Sequence, residues 1–208
     1  MIAKTLRPGA RLLLASLALS AGLAGCAPLL LGGAAVGGAL MYTDRRTSGT
    51  QVEDEAIELK GTNRLRERLG ATAHLNVTSY NRIVLVTGEV PAETDRAVVD
   101  EVMGKVENVR SVVNETVVAG ASSMTARSND LIITGKVKAA LLDVRDLPGN
   151  ITKVVTERGV VYLMGRVTER EAQRATEIAR GTSGVSKVVR VFEVLSDDEV
   201  KALSTPSK

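Results

Sequence analysis

Few residues in this chain could do chemistry. Its 208 residues include one cysteine, Cys26, and one histidine, His74. That count leaves no room for a zinc or iron–sulfur centre built from several Cys and His ligands, or for an intrachain disulfide. His74 lies in Ala73-His74-Leu75-Asn76-Val77, where it alternates with apolar residues. It therefore reads as a solvent-facing strand residue rather than a ligand or a base. Carboxylates are plentiful but scattered, and Glu169 and Glu171, two apart on one helix, do not face each other. No glycine-rich phosphate loop and no nucleophile elbow occur; Gly88 and Gly165 read as strand-end turns, and Arg64 to Arg68 as a solvated helix face. Four aromatic residues (Tyr42, Tyr80, Tyr162, Phe192) are too few for a base-stacking platform. The expectation is a binding protein without catalytic residues, cofactor, metal site or nucleic-acid partner.

The surroundings of Cys26 are more informative. Lys4, Arg7 and Arg11 precede an uncharged run, Leu12 to Gly25, of the length of a signal-peptide hydrophobic region. Its end, Leu23-Ala24-Gly25-Cys26, resembles the bacterial lipobox, in which small residues admit the lipoprotein signal peptidase and the thiol is diacylated. Residues 1–25 then form a lipoprotein signal peptide, and Cys26 is the lipidation site, unavailable as a nucleophile. The competing reading is an uncleaved membrane span, because no charge occurs from Leu12 to Thr43. Pro28 and the run of glycines between residues 22 and 38 weigh against it. Removing Lys4, Arg7 and Arg11 from the 27 basic residues leaves as many bases as the 24 acids. Overall basicity therefore belongs to the leader. Ala27 stands where an Asp would retain a lipoprotein in the inner membrane, so export to the outer membrane, facing the periplasm, is expected.

Residues 26–50 read as lipidated Cys26, an apolar Gly-rich tether and a polar linker. Gly33 and Gly37 have the small-xxx-small spacing that could bring two segments together, or the stretch is a plain flexible tether. Residues 121–126 read as a second linker and 197–208 as a flexible tail.

The elements that carry everything else come in two copies. Ile83 to Val90 (IVLVTGEV) matches Val160 to Val167 (VVYLMGRV), and Asn108 to Val113 matches Gly184 to Val189. In the second copy Ser128 or Asn129 could cap a helix with Ile133, Val137, Ala140, Leu141 and Val144 on one face. Strands follow near 151–156 and 160–164, joined by a turn at Glu157-Arg158-Gly159. Thr168 and Glu171 have the spacing of a capping box opening a helix with Ala172, Ala175 and Ala179 inside. A strand over Lys187 to Val194 closes the unit. The first copy repeats the order, with helices carrying Ile57, Gly61, Leu65 and Leu69, and Val99, Val102, Met103 and Val106, around strands near 73–79, 83–87 and 110–118. The fold class is α+β, two αββαβ units, each with a three-stranded mixed sheet packed on two helices.

Gly159, Val161, Leu163, Gly165 and Val167, followed by an Ala-rich helix and Gly184-Val185, resemble the BON domain. The first copy is a looser match, with Arg82 and Asn108 replacing two glycines. The tandem domains thus span 51–120 and 127–196. A lipobox, the stretch Thr43 to Gln51 (TDRRTSGTQ) and two BON copies together resemble the dual-BON outer-membrane lipoproteins. That resemblance implies a non-enzymatic protein that binds anionic phospholipids such as phosphatidylglycerol and cardiolipin and supports outer-membrane integrity under envelope stress. An envelope adaptor, binding other periplasmic or outer-membrane proteins, is the alternative.

Charge and helix pattern point to the second copy. Residues 51–120 carry an excess of acids and residues 126–196 an equal excess of bases, which suits an anionic surface or docking between the copies. On the first helix of copy two, Leu131 and Leu142 fall opposite the core side at about 100° per residue, with Ile132 and Ala139 on the flank and Lys136 and Lys138 bracketing them. Apolar groups edged by lysines are the pattern of an interfacial helix. The candidate phospholipid-binding residues are therefore Leu131, Ile132, Lys136, Lys138 and Leu142; packing of the two leucines against the first copy or the linker is the alternative. The equivalent helix, with Lys60, Arg64, Arg66, Glu67 and Arg68, is read as lacking such a patch. The dual-BON lipoproteins carry a Trp where this chain has Ile132, and no Trp occurs here. An indole prefers the headgroup interface, so shallower insertion is implied.

Overall fold

The computed structural model describes residues 44–148 and 151–204. Thr43–Lys208 make one compact unit that contains every hydrophobic cluster found among the described residues. Cys26, the signal peptide and the tether lie outside the described residues.

Domain 1 runs α1 (Ser48–Leu69), a short 3-10 turn (Gly70–Thr72), β1 (His74–Tyr80), β2 (Ile83–Val90), α2 (Glu93–Gly104) and β3 (Ser111–Val118). Domain 2 runs α3 (Met124–Leu142), β4 (Thr152–Glu157), β5 (Val160–Val167), α4 (Glu169–Gly181) and β6 (Lys187–Val194), and α5 (Asp197–Ser204) follows. Each domain is thus αββαβ. The middle strand pairs antiparallel with the first and parallel with the third, giving sheet orders β1-β2-β3 and β4-β5-β6. The parallel pairing needs a crossover, which α2 and α4 supply.

The helices form where the sequence supplies caps and apolar spacing. Thr168 Oγ1 accepts from the Glu171 backbone N–H while the Glu171 carboxylate accepts from Thr168 N–H, the expected capping box of α4. Ala172, Ala175 and Ala179 are buried, and their small size lets α4 lie close to its sheet. Ile57, Gly61 and Leu65 fill the same role on α1, and Ile133, Val137 and Leu141 on α3.

One latch occurs in both copies. Asp54 on α1 accepts from the backbone N–H groups of Asn81 and Arg82, and Asp130 on α3 from those of Arg158 and Gly159, all at 2.8 Å. Those turn residues all have positive φ, and three of the four are not glycine. The buried carboxylates hold these left-handed turns in place.

Alternation along the strands separates two packing faces. Val84, Val86 and Val90 of β2 point to the helices of domain 1, and Val161, Leu163 and Val167 of β5 to those of domain 2. The other faces carry Tyr80, Leu85, Tyr162, Met164 and Val191, which form a third core shared by the two sheets. Paired sheets therefore lie back to back, with helices outside. Polar contacts rim this junction: Lys153 Nζ lies 2.7 Å from Glu58, Arg158 reaches Glu89, and Asn76 donates to Glu157.

Four sequence expectations change. The stretch expected to be a linker after the tether enters the fold: Thr47 caps α1, which starts at Ser48, because Arg45 and Arg46 find buried carboxylate partners in Glu171 and Asp54. α3 starts at Met124, capped by Ser123, so Ser128 and Asn129 lie inside the helix. The polar tail forms α5 over Asp197–Ser204, begun by a Ser196–Glu199 cap. Gly88 and Gly165 are not turns but strand residues. An added Cβ would meet the backbone oxygens of His74 and Ile151 at 2.0 and 2.3 Å.

Candidate functional site

Helix α3 packs on β4, oriented by a 2.7 Å hydrogen bond from Thr134 Oγ1 to Thr156 Oγ1. With Ile133, Val137 and Leu141 turned to the core, helical geometry forces the opposite stripe outward. Leu131 is 73% exposed, Ile132 57% and Leu142 59%. The alternative in which the two leucines pack away against the first copy or the linker does not hold. Met124, 74% exposed, lies seven residues before Leu131 and extends the same stripe at its N-terminal end. Sequence reasoning missed it because the helix was expected to begin later; the i, i+7 spacing from Leu131 was the signal. Gly135, midway along, has open space around it, so the stripe is uninterrupted by any large polar side chain at that point.

Lys136 is exposed beside the stripe, and Lys138, seven residues after Leu131, is exposed within it. Among the described residues neither forms an ion pair, whereas Lys60, Lys105 and Lys153 face Glu107, Glu101 and Glu58. The charge difference between the domains is thus spent in two ways. Lys153 and Arg158 dock domain 2 onto acids of domain 1, while Lys136 and Lys138 keep their charges toward solvent. All five candidate residues are therefore gathered on one accessible face.

Helix α1, the counterpart in domain 1, is not free of exposed apolar groups. Val52 and Leu59 are exposed one above the other. Glu55 and Arg66 fall on the same stripe at helical spacing and are exposed, so that face is a mixed one. Among the described residues no helix is long and apolar enough to cross a membrane. The α3 stripe is thus the outer apolar side of a helix whose opposite apolar side is buried in the protein.

A family model described as the BON domain matches residues 53–120 and 129–196. Three relatives align over most of the chain. The Outer membrane lipoprotein DolP of Haemophilus influenzae is 37% identical over 175 residues, 83% of this chain and 90% of that protein. The 21 kDa hemolysin of Actinobacillus pleuropneumoniae is 33% identical over 151 residues, 72% of this chain and 78% of its own. Osmotically-inducible protein Y of Escherichia coli is 30% identical over 145 residues, 67% of this chain and 72% of its own.

Proposed function

The chain belongs to the BON-domain family, with two copies in tandem, and from that premise we propose that it is an outer-membrane lipoprotein whose second domain binds anionic phospholipids. In this reading Cys26 carries the acyl anchor, the body faces the periplasm, and the protein supports envelope integrity by binding rather than by catalysis.

The observation that carries the reading is the α3 stripe. Leu131, Ile132 and Leu142 are exposed on one side of a helix, with Lys136 and Lys138 beside them and unpaired among the described residues. Leucine and isoleucine side chains gain by leaving water for the acyl boundary, while ammonium groups gain about 1 kcal/mol each near an anionic surface. The two contributions reinforce each other only when they share a face, as here. The DolP relative supports the membrane setting, since it is named an outer membrane lipoprotein.

The test is flotation of residues 44–208 with vesicles of phosphatidylglycerol, of cardiolipin, or of zwitterionic lipid alone. The body is expected to float with both anionic vesicles and to stay down with the zwitterionic ones. Leu142→Asp, or charge reversal at Lys136 and Lys138, is expected to abolish flotation without unfolding the protein, because all three side chains are exposed. No flotation with any vesicle would leave Cys26 as the membrane attachment and make an adaptor for envelope proteins the better reading.

A further inference from the structure

At one end of the junction three potential metal ligands from both domains converge. His74 on β1 and Glu89 on β2 are direct cross-strand partners, so their side chains stand on the same face of the sheet, the one turned toward domain 2. Glu157 ends β4 of domain 2. An imidazole nitrogen of His74 and one carboxylate oxygen from each glutamate lie within 4.8 Å of one another.

The electrostatics of this cluster are incomplete as it stands. Glu89 is 1% exposed, and Arg158 takes only its Oε1, at 3.2 Å. Its Oε2 is buried with no hydrogen-bond partner. A buried carboxylate oxygen without a donor is costly. Glu157 brings a second carboxylate into the same space, held on its Oε2 by Asn76. Among the described residues the Arg158 guanidinium pairs with Glu89 and not with Glu157, and neither ring nitrogen of His74 makes a hydrogen bond. His74 is thus half-buried and turned toward two acids, not to open solvent as its sequence pattern suggested.

We propose that His74, Glu89 and Glu157 form a zinc-type divalent cation site that ties domain 1 to domain 2. The donor set, one imidazole and two carboxylates, suits Zn²⁺ better than Mg²⁺ or Ca²⁺, which prefer all-oxygen shells with more ligands. Zinc bonds of about 2.0–2.2 Å place tetrahedral ligands roughly 3.4 Å apart, so the donors must close in by about 1 Å. The half-buried His74 ring has room for that. A fourth position falls to water through an adjoining cavity of about 190 Å³, lined by His74, Asn76 and Glu157 with Arg127, Asp130 and Leu131 of α3. The site is independent of the lipid-facing stripe, although Leu131 borders both.

Because His74 is the only histidine, its ring signals are unambiguous in a ¹⁵N NMR spectrum of residues 44–208. Titration with zinc chloride is expected to shift them at one equivalent, magnesium chloride to leave them in place, and zinc to raise the thermal midpoint. Glu157→Gln is expected to weaken zinc binding by at least about tenfold while circular dichroism stays unchanged. His74→Ala is expected to remove both the calorimetric binding and the thermal shift. Ring signals that ignore zinc would overturn the proposal. So would wild-type affinity in Glu157→Gln or His74→Ala, which would mark adventitious binding to other surface groups.

Discussion

Arg45 lies 2.7 Å from Glu171, 126 residues further along the chain, and both side chains are nearly buried. The pairing is bidentate, with Arg45 Nη2 on the second carboxylate oxygen at 2.8 Å, and the same arginine donates to the Arg166 carbonyl. Arg166 returns a hydrogen bond to the Arg45 carbonyl. The segment before α1 of domain 1 is therefore fastened to the start of α4 in domain 2. Next to it, Arg46 pairs with Asp44 and Asp54 and lies 4.0 Å over the Tyr80 ring. A segment that reads as a linker staples the two domains.

Arg45→Ala leaves the buried Glu171 without its charged partner, and such a loss costs about 3 kcal/mol. Urea denaturation of residues 44–208 is expected to show a drop of that size. Arg45→Lys is expected to recover only part of it, because an ammonium cannot make the bidentate contact. Equal stability of wild type and Arg45→Ala would show that the staple contributes nothing.

Acid is expected to weaken the same region. Burial alone would raise the Asp54 carboxyl, but hydrogen bonds from Ser79, the Arg82 and Asn81 backbones and Arg46 outweigh it and hold it below its usual 3.8. Glu171 is likewise held below 4.5, against its burial, by Arg45 and Thr168. A depressed folded-state value means stability that is present above the unfolded value and lost as pH falls through the folded one. Stability should thus decline below about pH 4. Glu157 acts oppositely, since burial and the charge of Glu89 outweigh a hydrogen bond from Asn76 and push it up. In denaturation curves between pH 2 and 6, Asp54→Asn is expected to flatten the acid slope.

Gly88 and Gly165 mark equivalent points of the two sheets, yet substitutions there should not be equal. Gly88→Ala combines a clash with the His74 carbonyl and a φ of +115°, whereas Gly165→Ala brings only the clash with the Ile151 carbonyl. Clash and strain each cost on the order of 1–3 kcal/mol, so both variants should be destabilised and Gly88→Ala more so. Thermal midpoints of the two variants decide the order.

A tryptophan placed at Ile132 offers a direct report on the α3 face, because the chain has none of its own. Ile132→Trp adds an interfacial side chain at an exposed position. Its emission is expected to shift to the blue on adding phosphatidylglycerol vesicles, with stronger flotation than the parent. Unchanged emission would separate α3 from the membrane.

What was legible in the sequence is local or periodic. The 77-residue repeat, the strand alternation and the Thr168–Glu171 capping box are set by neighbours a few residues apart, and they gave the two αββαβ units. The outward stripe of α3 followed from the same logic, since once Ile133, Val137 and Leu141 are buried the geometry of a helix leaves Leu131 and Leu142 opposite. Tertiary structure decided the rest. The β2 run Ile83-Val84-Leu85-Val86 is apolar at every position, so alternation could not say that its second face meets another sheet. Thr43 to Gln51 is polar because Arg45 pairs with the distant Glu171, Arg46 with Asp44 and Asp54, and Asp44 accepts from the Tyr80 hydroxyl, a reason that composition does not distinguish from solvent exposure. His74 is separated from Glu157 by more than a full repeat, and only the back-to-back packing of the two sheets brings them into one cluster. Short-range spacing fixes elements, whereas the pairing of charges and ligands depends on which surfaces the elements bury against each other.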